Sequence, residues 1–137
     1  MSNDVVEVHG HTIADVPGRY LLDARHNHFV SDSRFGPAES VQAGELLLSA
    51  LASCAMANIQ TNADNDNIAI GAIRITVTHR RGAHDPTRYD FTHLRIDIHD
   101  TDQARADALA ARFTATCPIY NTIRRGSGID LTVHAHP

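Results

Sequence analysis

The stretch that decides the fold is Glu45-Leu46-Leu47-Leu48-Ser49-Ala50-Leu51-Ala52-Ser53-Cys54-Ala55-Met56-Ala57. Its apolar residues fall on nearly every side of a helix, so it predicts a buried helix, which we place from Ala43 to Asn62. The polar cluster that follows, 62–67, does not easily continue a helix. A helix of this kind needs cover on all sides, and a small sheet covers only one. We therefore expect a second copy of the chain on the other side, in an intimate homodimer.

Working outward from this helix, the sequence predicts short strands on both sides of it and one more helix. The second helix is capped by Asp100-Thr101-Asp102 and runs up to Cys117. The order predicts an α+β fold in which an antiparallel sheet packs on a long buried central helix. From their apolar and polar alternation and the turns that bound them, the predicted strands are 5–8, 19–23, 28–32, 73–78, 93–98 and the closing segment 129–133.

Length and charge exclude several classes of function. With 137 residues and a net charge of −4, the chain is predicted to be a single domain, 1–137, without a basic surface for nucleic acid or anionic membranes. The N-terminus is polar and acidic and no apolar run reaches membrane-spanning length, so we expect a cytoplasmic protein. All basic residues are arginine, which excludes a lysine Schiff base or a P-loop lysine.

The two cysteines lie in contexts that suit thiol chemistry. Cys54 is inside the apolar helix, where burial raises the pKa of a thiol. Cys117 is followed by Pro118, which favours the first turn of a helix, so free backbone N–H groups there favour a thiolate. From these positions alone, Cys117 would be the attacking thiol. In a cytoplasmic protein such a pair is more often catalytic or redox-sensing than structural.

The ten histidines raise the question of a metal site. Alternate residues of a strand share a face, so a His-x-His pair can chelate a metal ion. The pairs here fall at strand ends and termini without a carboxylate at ligand spacing, so we interpret them as solvated and predict neither a metal nor another cofactor. The three pairs are His9/His11, His26/His28 and His134/His136.

Three short strings resemble the OsmC/Ohr family of osmotically inducible and organic-hydroperoxide-resistance proteins. The string ending at Cys54 is similar to the central-helix signature, and Cys117-Pro118-Ile119-Tyr120-Asn121 is similar to the second-cysteine signature. Arg34-Phe35, in the loop before the helix, resembles the arginine of OsmC-type members, with Arg19 as the second candidate. The resemblance implies an interlocked α+β homodimer that reduces organic hydroperoxides with its cysteine pair, often recycled by a dihydrolipoyl thiol.

The resemblance also implies a role for each residue. Cys54 attacks the peroxide and Cys117 resolves the sulfenic acid, the reverse of the order that helix position suggests, so a cation such as Arg34 must activate Cys54. Hydroperoxide reductases of the family carry a Pro-Glu pair at the start of the central helix, whose glutamate orients the arginine. Here Ala43 and Gly44 stand there and Glu45 follows one residue late. The candidate catalytic residues are Cys54, Cys117, Arg34 and Glu45.

A non-catalytic role is the alternative. An OsmC-like dimer would have an apolar pocket at the seam next to Cys54, able to hold a fatty or aromatic small molecule. Turnover of a hydroperoxide with a dithiol reductant, possibly a lipoyl protein, distinguishes the enzyme from this binding module.

Overall fold

The computed structural model describes residues 5–126, 128–129, 131–134 and 136. The chain has two compact units, Met1–Ser49 and Ala50–Pro137, and their boundary falls inside the first helix. The predicted α+β class is confirmed, with antiparallel sheets and three helices; a single domain over the whole chain stays a prediction. In chain order, the elements are β1 (His9–Thr12), β2 (Arg19–Ala24), β3 (Asn27–Asp32), α1 (Ala43–Asn65), β4 (Ile73–Arg81), β5 (Tyr89–Ile98), α2 (Gln103–Thr116) and α3 (Pro118–Arg125).

The first unit contains an antiparallel sheet in the order β1-β2-β3. The prediction of a strand over 5–8 is wrong, because the first strand, β1, begins only at His9. The register explains the displacement. His9 pairs with Asp23, and β2 ends one residue later, so the pairing of β1 with β2 does not extend over 5–8.

The second unit is a β4-β5 hairpin packed on α1, with α2 completing the core. Ile73, Ile75 and Val77 of β4 lie opposite Ile98, Ile96 and Leu94 of β5, and this apolar face covers the helix. The α1 residues beneath it recur every four positions, which places them in one stripe. In this chain α1 is therefore buried along one face and not all round. The buried core consists of Leu51, Ala55, Ile59, Ala63, Leu109, Phe113 and Cys117.

The described residues of the predicted closing strand do not form a strand. Among the described residues of that segment, 128–129 and 131–134, none is in a strand. Ile129, Leu131 and Val133 are 90%, 83% and 79% exposed, so their apolar alternation is not matched by a pairing partner within the described chain. A strand forms only where a neighbour accepts its backbone hydrogen bonds, and alternation alone does not supply one.

Candidate paired-thiol site

The site lies at the junction between α2 and α3. Cys117 is the C-cap of α2 and the N-cap of α3, and its backbone N–H donates to the Phe113 carbonyl at 2.9 Å. Pro118 occupies the first helical position of α3, where no backbone N–H is needed. The Tyr120 N–H donates to the Cys117 Sγ at 3.4 Å. Cys117 thus stands buried at a helix N-terminus, as the sequence predicts.

Cys54 lies on α1 and faces this junction. Its side chain is partly exposed, whereas that of Cys117 is fully buried, and neither is in a disulfide. The side chain of Cys117 and the backbone N–H of Ile119 are close enough to the Cys54 thiol to change its pKa. The fold therefore brings together the two cysteines that the sequence singled out.

The surroundings of Cys54 hold it in the protonated state. Burial raises its pKa to about 11, helped by the hydrogen bond to Cys117 and by the negative charge that Cys117 would carry as a thiolate. The Ile119 N–H acts in the opposite direction. Among the described residues, no cation lowers this pKa. A pKa of about 11 leaves roughly one thiol in ten thousand ionised at pH 7, so nucleophilic attack by Cys54 requires a further activating charge.

A cavity of about 380 Å³ shares its walls with the elements that carry the thiols. Leu51 lies one helical turn before Cys54 on α1, and Tyr120 is the residue whose N–H holds the Cys117 sulfur. The β4-β5 hairpin supplies further wall residues, which no sequence motif connects with the site. The apolar and aromatic lining consists of Leu51, Tyr89, Phe91, Leu94, Tyr120 and Ile123.

In the first unit, an ionic cluster holds Arg19. Asp32, only 2% exposed, accepts hydrogen bonds from Arg19 Nε at 2.7 Å and Nη2 at 3.0 Å, and from the backbone N–H groups of Glu39 and Ser40 at 2.8 and 2.9 Å. The Arg19 Nη2 also donates to the Glu39 carboxylate at 3.0 Å. The Arg19 hydrogen bonds hold the pKa of Asp32 far below its usual range and raise that of Arg19. Two carboxylates thus neutralise Arg19 and fasten the loop after β3.

Arg34 lies in that same loop and is exposed. Its guanidinium carbon is 4.6 Å from the ring centroid of Phe35, which is itself exposed, in a cation–π contact. The loop is anchored beside it, because the backbone of Gly36 packs directly against Gly18, a residue at φ 79°. Arg34 belongs to the first unit and the thiols to the second, so its role as the activating cation stays a prediction.

Glu45 forms local hydrogen bonds at the start of α1. Its Oε1 accepts the backbone N–H of Gln42 at 2.9 Å, as in a capping box, and its own carbonyl accepts the Ser49 hydroxyl at 2.8 Å. The carboxylate also lies in the first turn of α1, where it interacts favourably with the helix dipole. These contacts account for Glu45 structurally, and a catalytic role for it stays a prediction.

One histidine in each of the first two His-x-His pairs has a carboxylate neighbour. His28 Nδ1 contacts the Asp23 carboxylate, and His9 Nε2 lies 2.6 Å from Glu7 Oε1. Within the described ranges, no group of three or more His, Cys, Asp or Glu side chains is arranged to hold a metal ion. In the same part of the chain, no helix combines the length and apolarity that crossing a membrane requires.

Fold and site together define a small α+β protein with a pair of neighbouring thiols at a helix junction. The chain belongs to the OsmC-like family, because the sequence profile described as "OsmC-like protein" matches residues 36–132. No curated protein matches the chain in sequence.

Solved structures of the family share the fold. The OsmC-like protein of Mycoplasma pneumoniae is 18% identical with a TM-score of 0.80, covering 91% of each chain. The organic hydroperoxide resistance protein OsmC of Legionella pneumophila is 19% identical with a TM-score of 0.64, covering 91% of this chain and 93% of the other. The organic hydroperoxide resistance protein OhrB of Bacillus subtilis is 16% identical with a TM-score of 0.65, covering 89% and 92%. At these sequence identities, the similarity to the solved structures shows a shared fold and no more.

Proposed function

We propose that this protein is a thiol-dependent reductase of organic hydroperoxides, in which Cys54 attacks the peroxide and Cys117 resolves the product. The observation that carries the proposal is that the two cysteine side chains are close enough to interact, with Cys54 the more accessible of the pair. An attacking thiol must meet its substrate, whereas a resolving thiol needs only to reach the first sulfur. The family's organic hydroperoxide resistance proteins in Legionella and Bacillus support the reaction class.

The proposed cycle oxidises the two thiols to a disulfide and reduces the peroxide. The Cys54 thiolate attacks one peroxide oxygen, the O–O bond breaks, and the leaving alkoxide takes a proton to become the alcohol. Cys117 then attacks the sulfenic sulfur of Cys54 and displaces water, which forms the disulfide. A dithiol reductant, such as a lipoyl protein, restores both thiols by exchange. The S–S bond of a disulfide is about 2.05 Å long, so the two sulfurs must approach each other to form it.

Activation of Cys54 is assigned to Arg34. Arg19 is committed to two carboxylates, whereas the Arg34 guanidinium is exposed and pairs with no carboxylate in the described part of the chain. A guanidinium beside Cys54 would lower its pKa and polarise the peroxide oxygen. We propose that Arg34 of either subunit of a dimer makes this contact with Cys54. Glu45, one residue later than the usual glutamate, is the candidate for orienting the arginine across that dimer.

The active form is proposed to be an interlocked homodimer with α1 as its central helix. The exposed apolar side chains Leu47, Ile129, Leu131 and Val133 support this, because covering such a side chain contributes about 1.5–3 kcal/mol. Sedimentation at micromolar concentration is expected to show a dimer. A well-folded monomer there would count against the interlocked form. We propose a cytoplasmic location, in keeping with two reduced cysteines.

Thiol counting under anaerobic conditions tests the reaction. One equivalent of cumene hydroperoxide is expected to remove both free thiols of the wild type and to yield one equivalent of cumyl alcohol. A dithiol should then restore both thiols. If no thiol is lost while apolar molecules bind tightly in the cavity, the non-catalytic binding module replaces the enzyme.

A further inference from the structure

The side-chain amide of Asn121 ties the end of α2 to the start of α3. Its Nδ2 group carries two protons and donates to two carbonyls, that of Thr114 at 3.1 Å and that of Cys117 at 2.9 Å. The Thr114 carbonyl is one of the last four of α2, which lack the usual partner within a helix. The half-buried amide of the next helix supplies that partner.

Cys117 forms the joint that this amide spans. Its backbone is extended, with φ −74° and ψ 118°, and it separates α2 from α3. A rotation about its backbone bonds would swing α3 relative to α2 and change the direction of the Cys117 side chain. The Asn121 amide opposes this rotation, because it bonds one carbonyl before the joint and the carbonyl of the joint itself. The edge-to-face contact of Phe113 with Tyr120, at 5.3 Å between ring centroids, links the same two helices.

We propose that Asn121 is a positioning residue for the thiol pair: by fixing the joint between α2 and α3, it holds the Cys117 sulfur where it can form a disulfide with Cys54. The two cysteine side chains are close enough to interact, so their relative direction decides how readily the sulfurs meet. Groups that are already arranged lose less orientational freedom when a bond forms between them. The inference rests on the proposed function for the role of Cys117 as the resolving thiol.

Equilibration with glutathione disulfide tests the arrangement of the thiols without any peroxide. Oxidation of Cys54 and Cys117 to their disulfide reduces one glutathione disulfide to two glutathione thiols. Asn121→Ala is expected to lower the equilibrium constant of this exchange about tenfold, because the sulfurs lose their fixed arrangement. Asn121→Leu, which fills the space without a donor, should show the same loss, and it serves as the test if the alanine variant does not fold.

Asp102→Ala is the matched control. Asp102 is the N-cap of α2 and accepts the Arg105 N–H at 2.8 Å, so its loss weakens the same helix at the end away from the thiols. Its exchange constant should equal that of the wild type, although urea unfolding should show a loss of stability in both variants. An equal fall in Asp102→Ala and Asn121→Ala would overturn the proposal, because Asn121 would then act only through the stability of the helices. Unchanged constants in both Asn121 variants would overturn it as well.

A second measurement separates attack on the peroxide from resolution. With one equivalent of cumene hydroperoxide, Asn121→Ala should release cumyl alcohol as fast as the wild type. Dimedone should trap a larger share of the Cys54 sulfenic acid in the variant, because Cys117 reaches it more slowly. If the wild type forms the disulfide with glutathione disulfide but is not oxidised by the peroxide, only the peroxidase is refuted. Equal trapping and equal exchange constants in wild type and Asn121→Ala would refute only this inference.

Discussion

The backbone N–H of Tyr120 donates to the Sγ of Cys117 at 3.4 Å, so a sulfur atom caps helix α3. The same side chain interacts with the Cys54 thiol and raises its pKa. One atom therefore fixes the start of a helix and forms half of the thiol pair. Substitutions at Cys117 can separate these two roles, because a hydroxyl can cap a helix but cannot form a disulfide.

Cys117→Ser is expected to remain more stable than Cys117→Ala by about 1 kcal/mol, the usual contribution of an N-cap side chain. Serine retains an acceptor for the Tyr120 N–H, and alanine leaves that donor without one. Urea unfolding of both variants under reducing conditions measures the difference. Equal midpoints would show that the sulfur does not act as a cap.

The two cysteines should behave asymmetrically toward a peroxide. Cys54→Ser is expected to abolish turnover of cumene hydroperoxide with a dithiol reductant, because the attacking thiol is lost. Cys117→Ser should still permit one round of attack and leave a sulfenic acid on Cys54, which dimedone traps for mass spectrometry. A dimedone adduct at Cys117 in the Cys54→Ser protein would reverse the proposed roles.

Removal of the proposed activating cation, Arg34, should change the pH dependence of the rate at which Cys54 is alkylated. The surroundings in a single chain place its pKa at about 11, so an arginine supplied in the active protein must lower it. We expect the rate of Cys54 alkylation by iodoacetamide in the Cys117→Ser background to rise through an apparent pKa below that value. Adding Arg34→Ala should shift the profile upward and slow alkylation at pH 7 about tenfold or more.

A variant that loses a different exposed arginine serves as the control for this experiment. Arg25→Asn removes a cation at the β2-β3 turn, where φ is 58° and asparagine is tolerated. Its alkylation profile should match that of its Cys117→Ser parent. If Arg34→Ala is also without effect while an Arg19 variant shifts the profile, Arg19 is the activating residue.

Asp32 should make the protein sensitive to acid. Its folded pKa lies below its unfolded value, chiefly because of the Arg19 hydrogen bonds, so its stabilising effect is present above an ordinary carboxyl pKa of about 4. The effect is lost as the pH falls from there through the folded pKa. Asp32→Asn is thus expected to melt several degrees below the wild type at pH 7, with the gap narrowing at strongly acidic pH.

Thermal unfolding followed by circular dichroism at several pH values checks this behaviour. Asp15→Asn is the control, since Asp15 is exposed and lies at φ 62°, a conformation that asparagine accepts. A constant gap between Asp32→Asn and wild type down to pH 2 would contradict the assignment.

Local signals were enough to predict much of this fold. The apolar run around Cys54 predicted α1, and Pro118 after Cys117 predicted a helix start, because both depend on neighbours within a turn or two. The alternation of β4 and β5 was equally clear, since one face of each covers the helix. These features require no knowledge of distant residues beyond the existence of a core.

Features that depend on distant partners were not predicted. The contact of Arg19 with Asp32 and Glu39 joins two strands and a loop, and no spacing in the sequence indicates it. The cavity was not predicted in this place because its walls come from α1, the β4-β5 hairpin and α3, which are far apart in the sequence. The predicted closing segment failed for the opposite reason, since Leu131 has the right pattern but no neighbouring strand in the described chain.

The exposed side chains of Ile129, Leu131 and Val133 have a consequence for handling the protein. In the proposed dimer, their burial contributes to the free energy of folding only while a second copy is bound, so dilution acts as a denaturant. The melting temperature should rise with protein concentration, and assays at nanomolar concentration would then examine a less stable species than those at micromolar concentration.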